Sequence, residues 1–362
     1  MPSKSHTTTQ WSNRLLTIII CCLGLLFLIA TPSQSQPPQA KQPAVICKDK
    51  FYQTAFDEIT AMLDGKAPLS IKRAVFLAEW AYLDGELNYD EYSNHIDSVV
   101  VFLNKFYLIN GADKYKTGKN MVLQEYFFNP YSGNNYKPFA YDFNIKDHTA
   151  QFVTRVIKTH SGQCRSLPMY YKILAEAIGA EAYISFSKLH VLIRYPDHDN
   201  LYPEPWVNLE LTSRQIQPEF WIKENAEISD KSIENKLYLY NLSDLETVAY
   251  QLSGLALGYR EKYGVYDDFT LQCAKKSMEY FPQYANTIII LAKSYEAKLT
   301  AHLKRNGGWV DSYTNFYDNK LKELEEYLYS LGWEPISEEL HKKFEEQNRQ
   351  AKVIFETESN KR

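Results

Sequence analysis

Residues 161–212 read SGQCRSLPMYYKILAEAIGAEAYISFSKLHVLIRYPDHDNLYPEPWVNLELT, and this stretch decides the fold. It opens with Cys164 at a turn directly before an amphipathic helix. Apolar residues recur at helical spacing from Leu167 to Ile178 and predict one buried helix face. Ser166 is expected to cap the start of this helix, and Gly179 to end it.

Three strand-like runs follow the helix, at residues 182–187, 189–195 and 206–211. Alternation within the second run places His190 on the sheet face opposite Val191. In the third run Asn208 and Glu210 share one face with Trp206. The stretch therefore predicts a helix followed by an antiparallel sheet, which is an α+β arrangement.

The order of these polar residues has a chemical reason. A helix N-terminus lowers the pKa of a thiol, and the thiolate is the nucleophilic form of cysteine. An adjacent imidazole holds the proton, and a third group fixes the tautomer of that imidazole. Backbone amides at the helix start stabilise an oxyanion. Cys164, His190 and Glu210 therefore form a candidate catalytic set.

These motifs resemble the transglutaminase-like superfamily of Cys–His–Asp proteins. The family pattern is G-x-C, a helix ending near glycine, a strand that carries histidine, and W-x-x-x-D-x-T. Trp206, Glu210 and Thr212 match the last motif, with glutamate in place of aspartate. The nearest likeness is a bacterial branch of exported proteins with a helical repeat region after the core. The resemblance covers residues 146–225 well and the mature chain more loosely.

The resemblance implies that Cys164 is the nucleophile, His190 the base and Glu210 the orienting carboxylate. Asn208 is an alternative orienting group, since it shares a strand face with Glu210 and papain-like enzymes use an amide there. Gln163 is a candidate oxyanion donor, with a plain turn residue as the alternative. His160, four residues before Cys164, is a weaker competing base.

Two functions follow from the resemblance. The first is a cysteine-dependent acyl-transfer enzyme, either a cysteine protease or amidase or a transglutaminase-like acyltransferase. Hydrolysis of an amide or peptide-type bond is favoured over cross-linking, because water is always present and nothing marks an amine site. The second is a catalytically inactive scaffold that binds a peptide or protein in the cell envelope, since members of this family include proteins without catalysis.

Composition sets further limits. The chain has 362 residues and a formal net charge of −4, without the basic patch that nucleic-acid binding requires. No H-E-x-x-H or paired C-x-x-C motif is present, so no metal and no cofactor is expected. Of the 28 tyrosines, four precede the reactive stretch and are candidate cleft walls, with packing as the alternative: Tyr126, Tyr131, Tyr136 and Tyr141.

The first 35 residues read as a secretory signal peptide. Lys4 and Arg14 precede an uncharged apolar run at residues 15–30. The alternative is an uncleaved N-terminal anchor, and membrane attachment is expected only in that case. Either reading predicts export to the periplasm or cell envelope. After cleavage an odd number of cysteines remains, so Cys164 is expected to be free, while Cys47 and Cys273 either pair or stay reduced.

The rest of the chain divides by composition. Residues 36–46 read as a linker, and residues 47–145 as an N-terminal helical region with a long loop. Residues 146–228 form the expected transglutaminase-like (papain-like) core. Residues 236–356 form a C-terminal helical region that resembles tetratricopeptide-type hairpins, which usually bind a peptide or another domain. The predicted fold class is α+β, with this core flanked by helices on both sides.

Overall fold

The structure is a computed structural model and describes residues 49–359. The expectations on the leader at 1–35, the linker at 36–46 and the pairing partner Cys47 lie outside the described residues. Within them the chain combines many helices with small sheets, which confirms the α+β class. No helix of the described part is both long and apolar enough to cross a membrane.

The elements are numbered in chain order. The described α-helices are α1 Lys50–Leu63, α2 Ile71–Tyr82, α3 Tyr89–Ile109, α4 Gly118–Phe128, α5 Val153–Thr159, α6 Ser166–Ile178, α7 Glu219–Asn225, α8 Asp230–Glu234, α9 Asp244–Tyr263, α10 Asp268–Tyr280, α11 Ala285–Arg305, α12 Ser312–Ser330 and α13 Glu338–Ser359. The strands are β1 Ala140–Tyr141, β2 Ser161–Gly162, β3 Tyr183–Ser187, β4 His190–Pro196, β5 Trp206–Glu210 and β6 Gln215–Ile216. Short 3-10 turns span Ala112–Lys114, Ser132–Asn134 and His148–Gln151.

Local sequence signals set most helix ends. At α2 the hydroxyl of Ser70 accepts a hydrogen bond from the Arg73 amide at 3.2 Å. At α9, Ser243 and Glu246 form a reciprocal capping box, and Gly264 ends the helix with φ at +69°. Such caps satisfy backbone groups that have no partner within the helix. The helix boundaries in this part of the chain therefore follow from sequence.

The main sheet is antiparallel, in the order β3-β4-β5-β6. Ser187 pairs with His190 across a two-residue turn, so His190 is the first residue of β4. Leu189, in that turn, has φ of +59°, a left-handed conformation that non-glycine residues seldom adopt. On β5, Asn208 lies opposite Arg194 of β4. The register thus places the end of β5 near the start of β4, where His190 lies.

Helix α6 packs against β3 and β4, and Cys164 lies two residues before its first residue. The expectation that Ser166 caps α6 through its side chain is wrong. Its hydroxyl accepts a hydrogen bond from the Gln163 amide at 2.9 Å and donates one to the Ala150 carbonyl at 2.9 Å. A Cβ on Gly162 would lie 2.5 Å from this hydroxyl, so the turn requires glycine there. Ser166 therefore stabilises the turn before α6, and it does not cap the free backbone amides at the start of that helix.

The N-terminal and C-terminal helices pack on each other. Helix α9 contacts both α1 and α2 as well as the next helix, α10. The buried apolar residues of the described chain form one continuous cluster that extends from Tyr52 to Trp333. The predicted boundaries at residues 145 and 228 stay predictions. The contacts of α9 nevertheless mean that the N-terminal and C-terminal helical regions pack directly on each other.

Glu79 of α2 joins the N-terminal helices to the segment that carries Cys164. Its carboxylate is buried and accepts hydrogen bonds from the Val153 amide at 2.6 Å and from the amide and hydroxyl of Thr154 at 2.9 and 2.6 Å. These contacts cap α5, whose own N-cap residue Phe152 offers no side-chain acceptor. Burial raises the pKa of Glu79 to about 7, although the three hydrogen bonds oppose the rise.

This raised pKa predicts a pH-dependent stability. Between the ordinary pKa of a glutamate and pH 7, the folded chain binds a proton at Glu79 that the unfolded chain does not. The free energy of unfolding of the wild type, relative to Glu79→Gln, is therefore expected to rise as pH falls through this window, by on the order of 2–3 kcal/mol. Urea unfolding at pH 8, 7, 6 and 5 measures the difference. Glu86→Gln, which changes an exposed glutamate, is the control and should give a flat difference. A flat difference for Glu79→Gln would contradict the assignment.

Candidate functional site

Three elements bring the predicted residues together. Cys164 lies in the turn between β2 and α6, His190 opens β4 and Glu210 closes β5. The Glu210 carboxylate forms an ion pair with Nε2 of His190. The side chain of Cys164 lies near enough to His190 to help raise the pKa of that imidazole. A thiol, an imidazole and a carboxylate therefore lie together, with the imidazole paired to the carboxylate.

Thr212 fixes the carboxylate of this set. Its amide and its hydroxyl both donate to Oε1 of Glu210, at 2.8 and 2.7 Å. The other oxygen, Oε2, contacts His190. Because each oxygen has its own partner, the carboxylate plane is held in one orientation. This contact gives the threonine of the W-x-x-x-E-x-T motif a physical role.

The electrostatics of the pair follow from this geometry. Burial lowers the pKa of His190, but the Glu210 carboxylate and the contact with Cys164 outweigh it and raise that pKa well above its ordinary value. Burial raises the pKa of Glu210, but the charge of His190 and the Thr212 hydrogen bonds outweigh it and lower that pKa. The arrangement therefore favours an imidazolium beside a carboxylate at neutral pH.

Two tyrosines flank the thiol. Tyr141 of β1 pairs with Gly162 of β2, two residues before Cys164. Burial, with Cys164, Asp142 and Glu210 nearby, raises the pKa of Tyr141 to about 12. On the helical side, burial raises the pKa of Tyr250 of α9, to which Arg165 and Cys164 also contribute in opposite directions. Both phenols are therefore neutral hydrogen-bond donors at physiological pH.

Only one of the four tyrosines predicted as cleft walls lies near Cys164, and that one is Tyr141. Tyr126 is buried in the core among other aromatic rings. The hydroxyl of Tyr131 donates to Glu125 at 2.8 Å, and Tyr136 is exposed. The packing alternative describes Tyr126 and Tyr131, which contacts the Phe106 ring, whereas Tyr136 lies on the surface and fits neither expectation.

The structure distinguishes Glu210 from Asn208 as the group that can orient His190. Glu210 contacts the imidazole, whereas the side-chain amide of Asn208 donates to the Gln217 carbonyl at 3.1 Å. Asn208 lies opposite Arg194, four residues along β4 from His190. Asn208 and Glu210 alternate along β5 and share a strand face, but the strand register places Asn208 away from His190.

Gln163 is part of the turn before Cys164. Its backbone amide is bound by Ala150 O and by the Ser166 hydroxyl. Its side-chain amide donates to the Asp142 carbonyl at 3.3 Å. These contacts match the alternative that Gln163 is a turn residue. That the second hydrogen of its side-chain amide stabilises an oxyanion stays a prediction.

The other histidines near this part of the chain have different partners. His160 ends α5 in a left-handed conformation and packs edge-on against Phe139 at 5.0 Å between ring centroids. Burial lowers the pKa of His160, so it is mostly neutral at pH 7. His198 forms an ion pair with Glu181 at 2.9 Å. Within the described residues, His190 is the histidine whose pKa Cys164 helps to raise.

The donor sets of the described residues contain no group of three His, Cys, Asp or Glu side chains arranged to hold a metal ion. Cys164 is a free, half-exposed thiol, and the side chain of Cys273 is buried on α10. Comparisons of the chain with protein-family models, curated proteins and solved structures found no match. The family resemblance therefore rests on the residues of the chain itself.

Sequence reasoning missed two residues of this site. Tyr250 and Arg165 lie beside each other, with the guanidinium carbon 4.7 Å from the centre of the Tyr250 ring. Arg165 follows the cysteine directly, but its environment is set by α9, more than 80 residues further along the chain. No local pattern in the sequence indicates that packing.

Thr212→Val tests how Glu210 is held. The variant keeps the shape of the side chain and the amide hydrogen bond but loses the hydroxyl donor. We expect it to lower the free energy of unfolding by about 1–3 kcal/mol at pH 7, because the lost bond reaches a buried charged group. Since the pKa of Glu210 is lowered, the cost should shrink as pH falls through that pKa and the carboxylate protonates. Urea unfolding at pH 7 and at acid pH measures both values.

A matched control is available elsewhere in the chain. The hydroxyl of Thr149 donates to Asp147 at 2.7 Å with the same two-residue spacing. The Asp147 side chain is 34% exposed, against 8% for Glu210. Thr149→Val also removes the acceptor that this hydroxyl offers to Arg155 at 2.9 Å, and it should still cost less than Thr212→Val because its carboxylate partner is more exposed. An equal loss of unfolding free energy in the two variants would mean that burial of Glu210 does not strengthen its hydrogen bond with Thr212.

Proposed function

We propose that the chain is a cysteine-dependent acyl-transfer enzyme with a transglutaminase-like core, which hydrolyses an amide or peptide-type bond. One observation carries this proposal, namely that three separate elements bring Cys164, His190 and Glu210 together, with His190 paired to Glu210 and its pKa raised by both neighbours. A buried ion pair is expensive to desolvate, and an apolar pair would stabilise the fold as well. Its presence beside a half-exposed thiol favours a chemical role.

The two ring nitrogens of His190 have different roles in this proposal. Nε2 is engaged by Glu210, which leaves Nδ1 as the nitrogen that exchanges a proton with Cys164. Glu210 stabilises the imidazolium and fixes the ring, and it does not itself take the proton. Because the pKa of His190 is raised, the imidazolium is the stable partner of a thiolate.

The first chemical step follows directly. The sulfur of Cys164 attacks the acyl carbon, a C–S bond forms and the carbonyl oxygen becomes an oxyanion. The C–N bond then breaks, and His190 donates its proton to the leaving amine. The product of this step is a thioester on Cys164, with neutral imidazole ready to act as a base.

The second step releases the acyl group. Water attacks the thioester carbon and gives one proton to His190, and the C–S bond breaks to give a carboxylic acid and a thiolate. An amine in place of water would give a new amide, which is the transglutaminase outcome. Water is the proposed acceptor, because it needs no binding site of its own.

The order of the structural elements supports the same proposal, and export of the chain is part of it. A cysteine before a helix, followed by antiparallel strands that carry histidine and a carboxylate, is the arrangement of the transglutaminase-like core. The leader read at residues 1–35 implies that the enzyme works in the periplasm or cell envelope on a peptide or protein. The helical region from α9 onward is proposed to help bind that substrate.

Alkylation of Cys164 tests the catalytic set. We expect iodoacetamide to label Cys164 rapidly below pH 7, because the imidazolium of His190 stabilises the reactive thiolate. His190→Ala is expected to slow labelling at pH 6 by about 10²-fold. Peptide mass spectrometry identifies the labelled cysteine, and its time course at each pH gives the rate.

The control is a second histidine with a carboxylate partner. His198 pairs with Glu181 on the surface, so His198→Ala removes a similar pair without touching the thiol. Its labelling rate should equal that of the wild type. Slow labelling of the wild type at pH 6, unchanged in His190→Ala, would reject the enzyme and favour a scaffold that binds a peptide through the same cleft.

A further inference from the structure

The outward face of α3 changes character along the helix. Its first half carries exposed acidic residues, namely Asp90, Glu91 and Asp97. From residue 98 to residue 112 the chain contains no acidic residue at all. The inward face is apolar throughout and packs on the core. A surface helix ordinarily keeps its outward face polar, and the second half of α3 does not.

Large apolar side chains are exposed where α3 ends. Val101, Leu108 and Ile109 are each more than half exposed, and Ile109 reaches 82%. Val101 and Leu108 are two turns apart and therefore lie on one side of the helix, with Ile109 beside them. Tyr115, in the turn that follows, is exposed as well. These four residues are called the apolar end of α3. Single exposed apolar residues are ordinary, but a group of them marks a surface that something else covers.

Three exposed lysines accompany the apolar end of α3, namely Lys105, Lys114 and Lys116. Within the described residues none of the three forms an ion pair, whereas Lys72 pairs with Asp97 of the acidic first half at 3.5 Å. One acid, Asp113, lies among them. The whole chain has a formal net charge of −4, so this surface is positive against the overall balance.

The turn after α3 holds these lysines in place. The carboxylate of Asp199 accepts hydrogen bonds from the amides of Lys116 and Thr117, at 3.2 and 2.7 Å. A Cβ on Gly118 would lie 1.9 Å from the Ala112 carbonyl oxygen, so the turn closes tightly and requires glycine there. The 3-10 turn at Ala112–Lys114 also contacts α3. Apolar and basic side chains are therefore presented together on a fixed frame.

We propose that the apolar end of α3 docks on a bilayer that contains anionic phospholipids. Its aliphatic side chains enter the boundary between headgroups and acyl chains, and Tyr115 lies at the level of the headgroups. The three lysines extend along the surface and attract the lipid phosphates. No residue of the catalytic set takes part, so the proposal does not depend on the proposed function.

The same observations disfavour two other occupants. A symmetric contact with a second copy of the chain would bring the lysines of one copy against those of the other. A side chain as exposed as Ile109 projects from the surface, so a protein partner would need a matching hollow to receive it. A bilayer deforms around such a side chain and supplies the negative charge as well.

Flotation with lipid vesicles tests the surface. The chain from residue 36 onward is used, because it keeps all the described residues, which share one continuous core, and lacks the apolar run at residues 15–30, which would bind vesicles by itself. Phosphatidylcholine vesicles with about 30% phosphatidylglycerol should bind the chain about tenfold more tightly than phosphatidylcholine alone. Binding to the anionic vesicles should weaken as sodium chloride rises from about 50 to about 500 mM, because salt screens surface charges.

Variants separate the apolar from the basic contribution. Ile109→Ser and Leu108→Ser should each weaken binding by about tenfold, because an apolar side chain no longer leaves water. Lys105→Gln combined with Lys114→Gln should weaken binding to anionic vesicles by about tenfold. All four side chains are exposed, so these changes leave the core intact.

Two matched controls lie in the C-terminal helical region. Trp309, in the loop between α11 and α12, is 65% exposed, against 64% for Leu108. Lys304 is an exposed lysine of α11. Trp309→Ser and Lys304→Gln should both bind vesicles as the wild type does.

Three results would overturn the proposal. The first is a wild-type chain that fails to bind anionic vesicles or binds neutral ones equally well. The second is a loss of binding in Trp309→Ser with none in Ile109→Ser, which would place the membrane contact on another face. The third is a dimer, measured by analytical ultracentrifugation, that Ile109→Ser dissociates, because the surface would then belong to a second copy. None of these measurements involves Cys164, so they stay separate from the test of the proposed function.

Discussion

The buried contact between His190 and Glu210 is the interaction on which the site depends. Two charged groups leave water together, and their mutual attraction must offset the cost of desolvation. The structure makes this favourable by giving the second carboxylate oxygen to Thr212 and by placing both residues at strand ends in one sheet. Removal of either partner would leave a buried charge alone.

The contact also explains the position of Cys164. The parallel pairing of β1 with β2 and the hydrogen bond from the Ser166 hydroxyl to Ala150 fix the turn before α6. That turn holds the thiol against the imidazole instead of within the helix. The rigid frame around the three residues is therefore made of short-range backbone contacts, with the sheet and α6 as its base.

Much of this frame was predictable from sequence, because the signals are local. The apolar periodicity of α6, the alternation along β4 and the capping box of α9 each lie within a few residues. The order of Cys164, His190 and Glu210 gave the candidate site. The choice between Glu210 and Asn208 could not be made, since both share a strand face and only the strand register separates them.

What the sequence could not show depends on contacts between distant segments. The hydroxyl of Ser166 bonds to Ala150 because the preceding segment folds back against it, so the expected cap did not form. Glu79 caps α5 from a helix more than 70 residues earlier in the chain. Likewise α9 brings Tyr250 and Gly254 to Arg165. No periodicity or turn signal encodes these pairings, which support the site from distant parts of the chain.

The central claim is that Cys164, His190 and Glu210 act as one electrostatic unit, and NMR titration of the His190 ring tests it most directly. In the wild type His190 should titrate well above the ordinary histidine pKa of about 6.5. Cys164→Ala should lower that pKa, and Glu210→Gln should lower it further, because the Glu210 charge is the largest influence that raises it. A wild-type His190 that titrates at or below the ordinary value, or that is unaffected by both substitutions, would contradict the account.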